Sequence, residues 1–76
     1  MSKNENIERR KRIAKRIKEL RLKANYTSHE TFATDNGLSR RNYWAIENGN
    51  DFKMSTLLKL TKIFDVSLEE FFKDLD

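Results

Sequence analysis

Apolar side chains recur along this chain every three to four residues, a helical spacing, with no strand-like alternation. Over Ile7 to Lys23, the positions Ile13, Ile17, Leu20 and Ala24 make one stripe and predict a first helix with that stripe buried. Asn25, Tyr26 and Thr27 break the rhythm. A second helix is predicted from Ser28 or His29 to Asp35. Ser28 as N-cap competes with a capping box of Thr27 and Glu30, and the pattern leaves the choice open. A third is predicted from Arg40 to Asn48, capped by Ser39 and stopped by Asn48–Gly49, both tolerant of left-handed backbone. After a loop containing Phe52, a fourth helix from Met54 to Phe64 is expected to bury Met54, Leu57, Leu60, Ile63, Phe64 and part of Leu58. Asp65–Val66 reads as a turn. Ser67 with Glu70 then opens a fifth helix, expected to end near Leu75. Residues 1–6 are polar and expected to be flexible. The sum is an all-α fold of five short helices, a single domain over residues 7–76.

The most informative stretch is 28–48. Ala33 is the small residue that lets two helices approach closely, and Gly37 suits a turn with positive φ. On the third helix Tyr43, Ile46 and Glu47 share the inner stripe. Arg40, Arg41, Trp44, Ala45 and Asn48 share the outer one. A helix-turn-helix has this form, with its second helix lying in the major groove of DNA.

Composition narrows the field. No cysteine stands among the 76 residues, which excludes a disulfide framework and cysteine zinc sites. No long apolar run suggests export or a membrane span, so a cytoplasmic protein is expected. One histidine, no phosphate-cradling glycine loop and no nucleophile–base pair leave enzyme chemistry, metals and cofactors without support. The net charge is uneven: +7 over residues 1–24, −1 over 25–53 and −2 over 54–76, together the chain's +4. That asymmetry suits one face on a polyanion and another on solvent or a partner; a solvated basic helix fits the charge equally well.

The ordered set of motifs resembles the phage repressor and Cro-like (XRE) family over about residues 10–72. The carrying pieces are Ile17-Lys18-Glu19-Leu20-Arg21, Glu30-Thr31-Phe32-Ala33, Gly37-Leu38-Ser39, Ile46-Glu47-Asn48-Gly49, Ser55-Thr56-Leu57-Leu58-Lys59-Leu60 and Val66-Ser67-Leu68-Glu69-Glu70-Phe71. The resemblance implies five helices, double-stranded operator DNA as ligand, a homodimer, and an Arg21–Glu47 ion pair of structural purpose. Two residues depart from the family pattern. Asn36 replaces an apolar residue and is free to cap the second helix. His29 replaces a glutamine but can still donate to a phosphate.

Arg40 and Arg41 match positions that reach base edges, where arginine donates two bonds to guanine; phosphate contact is the alternative. Trp44 either packs on a thymine methyl or sugar, or folds back on the Phe52 loop or the fourth helix. Ala45 also matches a base-contact position. Ser28, His29, Ser39 and Asn48, at helix ends, are candidate phosphate contacts, as are Lys15 and its neighbours Lys11 and Lys18. For the two serines capping alone, and for His29 and the lysines plain exposure, are the competing roles. Phe71 is expected in the core, and Phe72 with Leu75 forms a candidate dimer patch. The resulting expectation is a transcriptional regulator, a repressor by promoter occlusion. Its rival is an antitoxin-like module whose main task is binding a partner protein.

Overall fold

A computed structural model describes residues 3–76. Five helices and no strand occur among the described residues: α1 Lys3–Lys23, α2 His29–Asp35, α3 Arg40–Glu47, α4 Met54–Phe64 and α5 Leu68–Phe72. Helix α1 begins at Lys3 rather than Ile7 and, at 21 residues, is not short. Residues 1 and 2 of the expected flexible N-terminus lie outside the described residues. Helix α5 ends at Phe72, ahead of the expected Leu75, and Asp74 beyond it has a left-handed φ of 61°.

Caps decide most boundaries. The Ser28 hydroxyl accepts the Thr31 N–H at 3.3 Å, which settles the start of α2 in favour of Ser28. Ser39 accepts from Asn42 and Ser67 from Glu70 in the same way. Asn36 does cap α2: its side-chain amide donates to Phe32 O at 2.8 Å. Gly37 then supplies a φ of 68°, a conformation open to glycine without strain. At the end of α3 only Gly49 is left-handed (φ 89°). Asn48 stays at φ −97° and caps through its amide, which donates to Trp44 O at 2.8 Å.

The core comprises Ile17, Phe32, Ala33, Tyr43, Ile46, Leu57, Leu60 and Phe71, with Ala14 also buried. Phe32 is its centre, its ring 4.9 Å from Tyr43 and 5.3 Å from both Tyr26 and Phe64. Three expectations fail here. On α1 the buried stripe is Ala14, Ile17 and Arg21, with Ile13 and Leu20 at its flanks. Ala24 is exposed because the helix has ended at Lys23 and Asn25 turns the chain with a φ of 71°. On α4, Met54 is 68% exposed and Thr61 is buried instead, while Leu58, at 49%, is partly buried as expected. The face of α4 that meets the core runs Leu57, Leu60, Thr61 and Phe64; Met54 is the first residue of the helix, and Leu58 lies at the edge of the face.

The basic helix and the acidic C-terminal third meet each other. Arg9 and Arg12 pair with Asp76 at 2.8 and 3.2 Å. Arg16 donates to Phe71 O and, at 2.9 Å, to Lys73 O, satisfying carbonyls that α5 leaves free. These arginines hold the chain's own C-terminus, so the charge asymmetry does not leave two unengaged faces.

Candidate nucleic-acid interface

Helix α3 is fixed from behind. Glu47 accepts from Arg21 Nε at 2.7 Å and Nη2 at 3.1 Å, and the two side chains are only 8% and 5% exposed. Arg21 Nη1 also donates to Tyr26 O at 2.8 Å, so one guanidinium joins α1, the α1–α2 corner and α3. The ion pair expected from sequence is present and buried. The Glu47 hydrogen bond raises the Arg21 pKa despite desolvation, so the guanidinium stays charged at any ordinary pH. Beside it, the Tyr43 hydroxyl is buried with no hydrogen-bond partner among the described residues. Burial first, then the neighbouring Glu47, raises its pKa.

The outer face of α3 is open. Arg40, Arg41 and Asn48 are exposed and Trp44 is half-exposed, whereas Ala45 is half-buried. Ion pairs among the described residues engage Arg9, Arg12, Arg16 and Arg21, which leaves Arg40 and Arg41 unpaired. Two concavities flank the helix. A shallow depression of about 400 Å³ is lined by His29, Glu30, Arg40, Arg41 and Trp44. A cleft of about 580 Å³ on the other side includes Asn42, Ala45, Phe52, Lys53 and Lys59. Trp44 therefore borders the depression at the start of α2 and does not line the cleft that holds Phe52.

Of the residues singled out in the sequence, His29, Arg40, Arg41 and Trp44 share one depression, and Ser39 and Ala45 line the other. Ser28 and Ser39 spend their oxygens on capping bonds but keep a hydroxyl hydrogen to donate. Asn48 uses its amide N–H on α3. Lys15 is exposed on α1 and lines neither concavity. Lys11 lies beside Gly49, its Cγ 3.4 Å from where a β-carbon there would stand, and Arg10 Nε donates to Gly49 O at 3.2 Å. Both brace the end of α3. Phe72 is 41% exposed with its ring edge-on to Phe71 at 5.0 Å, and Leu75 is half-buried.

Two features escaped the sequence reading. Leu68 is exposed one helical turn before Phe72, which enlarges the apolar end of α5. Lys53 stands at the N-cap of α4, the one internal helix start without a side-chain cap. The missing Ser, Thr, Asp or Asn at that position was the available signal. Among the described residues no group of His, Asp and Glu could hold a metal, and no helix is long and apolar enough to cross a membrane.

The sequence pattern of the helix-turn-helix domain family matches residues 14–74. No curated protein and no solved structure matches the chain.

Proposed function

This chain belongs to the helix-turn-helix domain family, and from that premise we propose that it is a sequence-specific, double-stranded DNA-binding regulator of the phage repressor and Cro-like (XRE) kind, acting as a repressor. The single observation that carries the reading is the contrast between the two faces of α3. The inner face is pinned by the buried Arg21–Glu47 pair, and the outer face presents two unpaired arginines and a half-exposed tryptophan. A recognition helix needs both properties, a fixed axis and unsatisfied donors aimed outward.

In this reading Arg40, Arg41, Trp44 and Ala45 meet base edges. Ser28, His29, Ser39 and Asn48 meet phosphate, the first three near helix N-termini where free N–H groups favour anions. Lys15 adds a nonspecific contact. Two subunits joined through Phe72 and Leu75 would read half-sites one helical turn apart, about 34 Å. Promoter occlusion in the cytoplasm then accounts for repression. An antitoxin-like module is the second reading, favoured by the exposed Leu68 and Phe72.

Selection of bound fragments from a random duplex library, at near-physiological salt with competitor DNA, tests the proposal. An inverted repeat with guanines in each half-site is expected. No enrichment over competitor would overturn it and turn attention to a protein partner. Arg40→Ala is expected to relax base preference, and Lys15→Ala to weaken every sequence alike.

A further inference from the structure

Residues four apart on a helix stack one above the other, so the outer face of α3 carries two ridges, Arg40 with Trp44 and Arg41 with Ala45. The first carries an aromatic ring that, like that of Phe52, stands in no ring–ring pair, but Phe52 packs against the core whereas Trp44 is half-exposed. Tyr26, Phe32, Tyr43, Phe64, Phe71 and Phe72 all sit in ring–ring pairs, and Trp44 is in none of these pairs. Half of its surface faces water, on the rim of a depression that also holds Arg40, Arg41, His29 and Glu30. Half of the ring is therefore available to a ligand.

In the major groove the apolar group offered by base edges is the pyrimidine C5-methyl of thymine, and guanine offers the O6/N7 pair that suits arginine. One helical turn is 5.4 Å and base pairs along one strand are about 3.4 Å apart, so a ridge of two residues spans neighbouring pairs. Building on the DNA-binding reading above, we propose that Arg40 and Trp44 form one reading unit for a pyrimidine C5-methyl beside a guanine. The ligand class is duplex DNA with a thymine–guanine, or 5-methylcytosine–guanine, step in each half-site.

Operator duplexes recovered by the selection above, resynthesised with deoxyuridine at one thymine at a time, test this directly. The replacement removes only the methyl. At one position per half-site, affinity of the wild-type protein is expected to fall about four-fold, the change for one methyl-sized group no longer withdrawn from water. Trp44→Gln is expected to bind thymine and deoxyuridine operators alike while keeping its dependence on the guanine and its helical circular dichroism. If every deoxyuridine operator stays within two-fold for the wild type, the inference is overturned and DNA binding stands. Equal weakening of both operators by Trp44→Gln, with a wild type indifferent to the methyl, assigns the ring to a sugar and also overturns it. If no operator is recovered, both readings fall.

Discussion

Glu47 and Arg21 occupy a place where losing one partner is worse than losing both. The pair is nearly enclosed and its remaining donor is satisfied by Tyr26 O. Glu47→Ala would strand a buried guanidinium, which costs about 3–5 kcal/mol in well-shielded settings. The double replacement Arg21→Met with Glu47→Leu is expected to recover most of that loss in urea unfolding. A double variant no better than Glu47→Ala would contradict this account. Tyr43 gives the opposite case. Its hydroxyl is buried without a hydrogen bond, so Tyr43→Phe is expected to be neutral or stabilising. The same burial raises its pKa in the folded state, and a hydrogen bond to Asp35 raises that of Tyr26. Raised groups hold their protons more tightly when folded. Their contribution is therefore complete below the ordinary tyrosine value of about 10 and is lost as pH rises above it. Stability should be level through neutral pH and fall in alkali, with Tyr43→Phe removing most of the fall. An unchanged alkaline limb in that variant would show that another group controls it.

At the scale of elements, the recognition helix depends on its cap. Ser39 accepts the Asn42 N–H at 3.2 Å at the start of an eight-residue helix, too short to stand on its own propensity. Ser39→Ala is expected to cost about 1 kcal/mol and to lower the melting temperature by roughly 4–8 °C. Specific DNA affinity should fall further than nonspecific affinity, because fraying begins at Arg40 and Arg41. A melting temperature unchanged within error would remove the cap from the argument. Elements of this kind were readable because a polar residue at a fixed offset announces them: Ser28, Ser39, Ser67 and the Asn48–Gly49 stop lie where expected. Burial was read less well, for a physical reason. Apolar periodicity assigns a stripe only to apolar residues, so it passed over Arg21 and Thr61, which can be buried because their polar atoms are bonded, Arg21 to Glu47 on α3 and Thr61 to Leu58 O within its own helix. It also gave burial to Met54, which at the first position of α4 stays exposed. Trp44 shows the same limit at the candidate site. Spacing put it on the outer face, but which neighbour it meets depends on how α2 packs against α3.

The whole molecule turns on a question of charge and copy number. Arg9, Arg12 and Arg16 are engaged by the C-terminal segment of their own chain, so they contribute less to phosphate binding than the +4 net charge suggests. Long-range attraction should come chiefly from α3, its neighbours and the unpaired lysines. Each neutralised phosphate releases counterions and steepens the dependence of log affinity on log salt by about 0.9. A dimer doubles the number of such contacts in one binding event. The apolar end of α5, formed by Leu68, Phe72 and half-buried Leu75, is the surface that would join two copies. A charge at Phe72 would have to be desolvated in that interface. Phe72→Asp is therefore expected to sediment as a monomer where the wild type sediments as a dimer, and to bind a single half-site with about half the wild-type salt slope. Phe72 is already 41% exposed, so the variant should melt within a few degrees of the wild type at low concentration. Equal sedimenting mass and equal salt slope for the two proteins would remove α5 as the dimer surface. A lower mass with an undiminished slope would instead mean that each copy already makes all its phosphate contacts alone.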